Sequence, residues 1–535
     1  MSMGIRDVIV VGGGHNGLAC ASYLARGGLD VLVLESRPTP GGAAATEEPW
    51  PGYRVSTASY VVSLMPERIV SELDLRRHGY KTTILEPDYY VPYTDGTSLT
   101  LWGDTGRTAQ EIARLSKADA DAYVDFDAYL THLGKLLHDL LYVIPPNLSA
   151  KELPRWLALG GKFRTWTGRD INEVIRLFTV SAADFLDEWF EDERVKGALA
   201  TQAIIGAWTG PMSPGSAYVL LHHWMGEIDG QPGVWGWVHG GMGAVGRVLS
   251  ESAVAAGAEV RLNAPVAKVS IRGGRAIGVE LEDGTVIEAR RVVSSAHPVT
   301  TLRELVGDIH LPEDALRDIK RYRSRSGSVK VNLALSELPR PKSWEGAIPG
   351  DPHTGIMSIS PSIEYLEKAW DEAKYGRISS HPYVEMVFPT VFEPDLAPDG
   401  NHIALCFTQF GPIELAEGSW DTERDTYARN VINALTELAP GFDASVLETE
   451  VLTPKDIEDR FGLLGGNIFQ GDMSPEQMFS FRPIPGYADY RAPVDGLYMC
   501  GSGTHPGGGV MAVPGLNCAR VMLRDAKRAR LLRRR

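Results

Sequence analysis

A chain of 535 residues exceeds what one hydrophobic core can hold, so two or more domains are expected. Its 44% hydrophobic and 23% charged residues describe a globular protein, and without any apolar run of about 18 residues it is not expected to be an integral membrane protein. A formal net charge of −15, with no basic patch interleaved with aromatics, argues against nucleic acid as a partner.

In chain order, Met1-Ser2-Met3-Gly4-Ile5-Arg6-Asp7 leads straight into an apolar run, which leaves no room for a cleavable signal, so a cytoplasmic location is expected. Val8-Ile9-Val10-Val11 then opens into Gly12-Gly13-Gly14-His15-Asn16-Gly17, a buried parallel strand handing over to a helix whose free N–H groups bind pyrophosphate. Gly12 permits the tight turn, Gly14 lets the main chain approach the phosphates, and Gly17 lets the helix lie close on the strand. His15 and Asn16 fall in the helix's first turn. The spacing predicts a helix over 18–24, stopped by Gly27-Gly28, and a second strand at Val31-Leu32-Val33-Leu34 that ends on Glu35. About 20 residues past the glycines, an acid accepts hydrogen bonds from a ribose and disfavours a 2′-phosphate. A lone GxGxxG is weak evidence, but a complete βαβ unit around it predicts a bound dinucleotide.

The continuation Ser36-Arg37-Pro38-Thr39-Pro40-Gly41-Gly42-Ala43 puts a cation and a second glycine pair directly after the ribose acid, which points to FAD rather than NAD. Near the other end stands Asp495-Gly496-Leu497-Tyr498-Met499-Cys500-Gly501-Ser502-Gly503-Thr504-His505-Pro506-Gly507-Gly508-Gly509-Val510. Both stretches resemble the flavoprotein superfamily of phytoene desaturases and amine oxidases. With Phe461-Gly462-Leu463-Leu464-Gly465-Gly466-Asn467-Ile468-Phe469-Gln470-Gly471 and Arg482-Pro483, the pattern is most similar to the branch of pyridine nucleotide-disulphide oxidoreductase domain-containing protein 2 and its bacterial relatives. The resemblance implies that Arg37 and Gly41-Gly42-Ala43 line the ribityl and pyrophosphate part of FAD, that the backbone from Val266 to Val269 touches the adenine, and that Gly501 and Ser502 close on the same cofactor. The scattered Cys20, Cys406, Cys500 and Cys518 show no CxxC spacing, so neither a disulfide framework, a zinc site nor a redox dithiol is expected, whatever that branch is called. HExxH and GxSxG are also missing, and no metal site is expected.

The expected fold is α/β (α+β overall): a Rossmann-type FAD-binding domain of discontinuous segments, a mixed-sheet substrate domain and a helical subdomain. Residues 1–65 form the first FAD-binding segment, with 52–59 as cofactor wall. Residues 66–105 carry short strand-like runs such as Tyr89-Tyr90-Val91-Pro92-Tyr93 and begin the substrate domain. Residues 106–228 turn helical, with Tyr123, Phe126, Leu130, Leu133 and Leu137 three or four apart within 118–141. The aromatics Trp156, Trp166, Trp189, Phe190, Trp208 and Trp224 there either line an apolar tunnel or form ordinary core. Residues 229–300 return to the FAD-binding domain through Gly240-Gly241-Met242-Gly243 and a helix. A β-meander over 266–271, 276–281 and 285–289 follows, with turns at Gly273-Gly274 and Asp283-Gly284, and then a strand at 291–296. Residues 301–485 resume the substrate domain, and 486–535 hold the last FAD-binding segment and a basic C-terminal helix.

The implied chemistry is hydride transfer between a substrate carbon and flavin N5, which leaves binding, orientation and electrostatics to the protein. Gly507-Gly508-Gly509-Val510-Met511, followed by a helix over 515–523, would aim main-chain N–H groups at the flavin's pyrimidine edge. The alternative is a mobile glycine-rich loop. His505 is either a proton donor and acceptor or a structural hydrogen-bonding group. In Ser328-Val329-Lys330-Val331-Asn332-Leu333-Ala334-Leu335, alternation puts Lys330 and Asn332 on the face opposite Val329, Val331 and Leu333. Lys330 either holds a water near N5, as a lysine does in amine oxidases, or is an exposed charge. Cys500 is read as packing.

The expected activity is an FAD-dependent dehydrogenase or oxidase acting on a hydrophobic, isoprenoid or long-chain small molecule. The alternatives are an amine oxidase, for which Tyr487, Tyr490 and Tyr498 do not by themselves make an aromatic cage, and a flavin-binding scaffold without turnover. Only one dinucleotide fingerprint is present, so the electron acceptor is oxygen, a quinone or another redox partner. The tail Arg520 to Arg535 is either a basic amphipathic helix making a peripheral membrane contact or a surface helix whose end is stabilised by cations.

Overall fold

The computed structural model describes residues 5–147 and 150–533; Met1 to Gly4 and the last two tail arginines, Arg534 and Arg535, lie outside the described residues. The apolar run Val8–Val11 is a strand with every residue buried, as a parallel strand covered on both faces must be. It is the centre of a five-stranded parallel sheet in the order Glu259–Arg261, Val31–Leu34, Val8–Val11, Val292–Ser294, Leu497–Met499. Stretches far apart in sequence therefore build one sheet. The first helix runs over His15–Arg26, longer than its apolar periodicity suggests, because the polar first turn His15-Asn16 is also helical. It packs between Gly243–Ala255 and the C-terminal helix Val513–Arg533, and a Cβ at Gly515 would come within 2.2 Å of the Asn16 carbonyl. The meander Val266–Arg272, Arg275–Leu281, Val286–Glu288 is antiparallel throughout.

A second sheet has seven strands in the order Val446–Leu452, Ser328–Leu335, His402–Gln409, Tyr383–Val387, Ile356–Ile359, Tyr89–Pro92, Ser98–Leu101. Its pairings are antiparallel except for Ile356–Ile359 against Tyr89–Pro92, so it is a mixed sheet. The chain returns to it only at Ser328, later than residue 301. Leu302, Leu305, Val306, Ala315 and Ile319 pack with Ile9 and Leu32 on the parallel sheet, because burying that apolar face requires a layer to cover it. Ile484, Ala492 and Val494 join the same core.

Between residues 105 and 224 the chain is mostly helical. The helix Lys117–Leu141 buries Tyr123, Phe126, Leu130, Leu133 and Leu137. Phe126 is the hub of an aromatic cluster, with ring centroids 5.6 Å from Trp189, 5.0 Å from Phe190 and 6.1 Å from Trp224. Trp208 packs edge-on against Trp370 and Trp166 against Phe163, while Trp156 donates to the Asn147 carbonyl. Most of these rings pack on other rings, and among the described residues none of the six lines the cleft described below. Among the described residues no helix is long and apolar enough to cross a membrane.

Candidate cofactor and substrate cleft

A cleft of about 640 Å³ runs from the glycine turn of the parallel sheet to the seven-stranded sheet. Gly12 holds φ +93°, a left-handed turn that a side chain would strain, and a Cβ at Gly17 would sit 2.2 Å from the Gly12 carbonyl. A Cβ at Gly14 would meet nothing within 4 Å, and this glycine caps the helix without a side-chain bond. The first-turn amides are thus left for a ligand. Glu35 lies beneath the turn: Oε2 accepts the Gly13 amide at 2.6 Å, and Oε1 accepts the Arg37 amide at 2.9 Å and the Ser36 hydroxyl at 3.2 Å. The second glycine pair lies on the first, with the Gly41 amide donating to the Gly13 carbonyl at 2.8 Å, and Ala43 continues the wall. Arg37 donates to the Gly42 carbonyl at 2.8 Å and to Glu47 at 2.5 Å, with its guanidinium 4.7 Å from the Phe461 ring centroid.

The two ends of the chain meet here. Asn16 Nδ2 donates to the Ser502 hydroxyl at 3.0 Å, and a Cβ at Gly501 would lie 2.4 Å from the Ser295 carbonyl, so only glycine fits. Gly509 and Val510 line the cleft at φ +118° and +55°. For a β-branched residue such a φ is a strain of about 1–3 kcal/mol, which the surrounding fold must hold in place. Among the described residues no backbone acceptor takes the amides of Gly509 and Val510. Arg482, fully buried, braces this wall by donating to the carbonyls of Ser502 at 2.9 Å and Phe469 at 2.7 Å.

The opposite end is apolar. Leu64, Ile205 and Trp235 line it with Tyr60, whose ring stacks on Phe407 at 5.7 Å. Lys330 is 2% exposed and lines this end, which rules out the exposed-charge reading. Its Nζ donates to Asn332 Oδ1 at 2.5 Å and lies 5.6 Å from the Tyr60 ring centroid. Burial in this dry position pushes the Lys330 ammonium down to about 7. Behind Tyr60 the fully buried Glu385 accepts the Tyr60 hydroxyl and, at 2.9 Å, the Tyr89 hydroxyl, and burial raises its carboxyl above the usual range.

The remaining expected residues lie elsewhere. His505 is outside the cleft wall: Nε2 sits 2.9 Å from the Leu140 carbonyl, and burial pushes the ring down to about 4. Outside the cleft wall, held by the Leu140 carbonyl and with a neutral ring, it fits the structural reading. Val266 opens the meander, is half-buried and does not line the cleft. Gly17, Gly501 and Met511 are buried behind the wall and shape it without lining it. Tyr490 donates to the His505 carbonyl at 2.7 Å and Tyr498 to Asp525 at 2.9 Å, so neither belongs to a cage. Cys500 is buried beside Cys20 and Cys518. Tyr60, His223, Trp235 and Phe407 line the cleft and Glu385 backs Tyr60, and none of them is singled out by the sequence reading. A Glu inside the apolar strand Tyr383–Val387 and a His pair inside the apolar helix Ser216–Trp224 are the signals that could have found two of them.

The glycine end fits a dinucleotide. The open Gly14 face, the unpartnered buried atoms His15 Nε2 and Asn16 Oδ1, and the ribose-side Glu35 are what phosphates and hydroxyls require. The family model for flavin-containing amine oxidoreductases matches residues 17–522. The chain belongs to the flavin-containing amine oxidoreductase family. A pyridine nucleotide-disulfide oxidoreductase domain-containing protein 2 from Rattus norvegicus is 39% identical, across 97% of this chain and 94% of its own. One of the subunits of limonene dehydrogenase from Castellaniella defragrans is 28% identical over 97% and 94%, and a neurosporene-forming phytoene desaturase from Rhodobacter capsulatus 27% over 96% and 92%. Putrescine oxidase shares the fold, with a TM-score of 0.59 at 18% identity over 98% of this chain and 99% of that one. As a member of this family the chain is an FAD-dependent oxidoreductase, and the glycine end of the cleft has the lining that its dinucleotide would need.

Proposed function

We propose that this oxidoreductase acts on a hydrophobic, isoprenoid or long-chain molecule, moving a hydride between a substrate C–H bond and FAD. The observation that carries the reading is the wall opposite the glycine turn, where Leu64, Ile205, Tyr60, Phe407 and Trp235 present apolar surface and no carboxylate. When bound, FAD supplies the hydride acceptor. Lys330 takes the proton from the neighbouring carbon, so that one hydride and one proton leave and a double bond remains. With a pKa of about 7 its amine is neutral in part of the population at physiological pH, as a proton acceptor must be. Tyr60 and Phe407 orient the chain and exclude water, while Asn332 fixes Nζ. Oxygen, a quinone or another redox partner would be the final electron acceptor.

An amine substrate is the second reading, favoured by the family match. Anaerobic stopped-flow mixing of the FAD-loaded protein with lipophilic isoprenoids and with amines separates them. Bleaching of the flavin by isoprenoids supports the proposal, bleaching by amines alone overturns it, and bleaching by neither leaves a flavin-binding scaffold.

A further inference from the structure

His223 lies on the helix Ser216–Trp224, and its ring lines the apolar end of the cleft with its centroid 5.8 Å from that of Trp235. Its Nδ1 is 2.9 Å from the Gln202 carbonyl and 3.0 Å from the Val219 carbonyl. Carbonyl oxygens only accept, so Nδ1 carries the proton and Nε2 keeps its lone pair. The residue is 5% exposed, and burial pushes the imidazole down to about 4, so the ring is neutral at physiological pH. Among the described residues no protein donor reaches Nε2. Nε2 therefore offers a free lone pair on the cleft wall, where an occupant of the cleft can donate to it.

We infer that His223 Nε2 accepts a hydrogen bond from a hydroxyl on the substrate, which makes that substrate a long apolar alcohol and not a pure hydrocarbon. The inference rests on the hydrophobic-substrate reading above. An ammonium group could also donate, but the charge of the cleft argues against it. The wall carboxylates Glu35, Glu304, Glu458 and Asp459 lie on elements of the glycine end, whereas the apolar end carries the Lys330 amine and the His223 imidazole. Glu385 is screened behind Tyr60, with both oxygens already accepting. A neutral hydroxyl suits this corner, where no wall carboxylate stands to pair with a substrate ammonium.

The test uses full-length, FAD-loaded protein and two matched pairs, phytol with phytane and 1-dodecanol with dodecane, plus dodecylamine, with binding read from the flavin absorption spectrum. Wild type should bind each alcohol about tenfold more tightly than its hydrocarbon, the worth of one neutral hydrogen bond in a dry site. His223→Phe should bring that ratio close to one with FAD affinity unchanged, and His223→Gln, which keeps an acceptor, should restore part of it. The inference is overturned by equal binding of alcohol and hydrocarbon in wild type, by a preference that survives His223→Phe, by tighter binding of dodecylamine than of 1-dodecanol, or by loss of FAD from His223→Phe. Equal binding of alcohol and hydrocarbon removes only the role of His223. Failure of every apolar probe, with the amine bound, removes the hydrophobic-substrate reading as well.

Discussion

Glu35 Oε2 accepts the amide of Gly13 at 2.6 Å, so the acid that ends the second strand also latches the glycine turn that fits a dinucleotide. Glu35→Ala removes the ribose acceptor and the latch together. A hydrogen bond to a charged group is worth about 1.5–3 kcal/mol, so FAD affinity should fall by roughly 10- to 100-fold. Fluorescence titration of the apoprotein with FAD measures it, and unchanged affinity would remove Glu35 from the cofactor site.

Gly14 and Gly17 are separated by what surrounds them. Gly14→Val puts a side chain into open space, so the protein should fold with an unchanged apo melting temperature yet purify colourless, the pyrophosphate approach being blocked. Gly17→Val drives a Cβ to 2.2 Å from the Gly12 carbonyl and should cost about 1–3 kcal/mol or more of stability before any cofactor is added. Calorimetry of both apoproteins, with the absorbance of the purified samples, checks the contrast. A yellow Gly14→Val protein would count against the assigned approach.

What the sequence made legible follows from how local each signal is. The turn from Gly12 to Gly17 and its acid at Glu35 form a continuous βαβ unit, so spacing alone placed them. The Asn16–Ser502 contact was foreshadowed only because the motifs at both chain ends point to one cofactor. The apolar end of the cleft draws Tyr60, His223, Lys330 and Phe407 from distant elements, and no spacing rule brings such residues together. His505 stayed open between two roles for the same reason: it neighbours the closing motif in sequence, yet its ring turns to Leu140 on the long helix. The aromatics between residues 156 and 224 follow helical spacing, and that spacing means core unless a cleft is shown.

The C-terminal helix is anchored before its basic end. Val521, Met522 and Ala526 are buried against the first helix's core, and Asp525 accepts from Arg491 at 2.8 Å, whereas Leu531 is exposed. Deleting residues 521–535 should therefore cost about 2–5 kcal/mol, as the loss of buried apolar side chains does. Deleting residues 528–535 should leave the melting temperature unchanged. We propose that the basic end contacts anionic membranes, each cation near the surface adding roughly 1 kcal/mol. Sedimentation with phosphatidylserine vesicles should pellet the full chain and leave the shorter one in solution. Equal pelleting would leave the cations only their stabilising effect on the helix end.

Lys330 couples stability and turnover to pH through one proton. Its pKa is lowered from 10.5 to about 7 by burial, so between those values the unfolded chain binds a proton that the folded chain lacks. Stability from this group therefore rises with pH across that window, and the full cost of charging the buried amine is felt below pH 7. At 1.36 kcal/mol per unit, that cost is on the order of 5 kcal/mol. Lys330→Met keeps the length and drops the charge, so its melting temperature should exceed that of wild type at pH 6, with the difference closing by pH 10. The same amine accepts the substrate proton only when neutral, so wild-type flavin reduction should accelerate as pH rises through about 7. In Lys330→Met that limb should vanish and the rate fall by roughly 10²- to 10⁴-fold, with FAD affinity unchanged. Calorimetry across pH and anaerobic stopped-flow reduction test the two halves separately. A pH-independent gap in melting temperature would contradict the buried amine, and an unaltered rate profile would remove Lys330 from proton transfer.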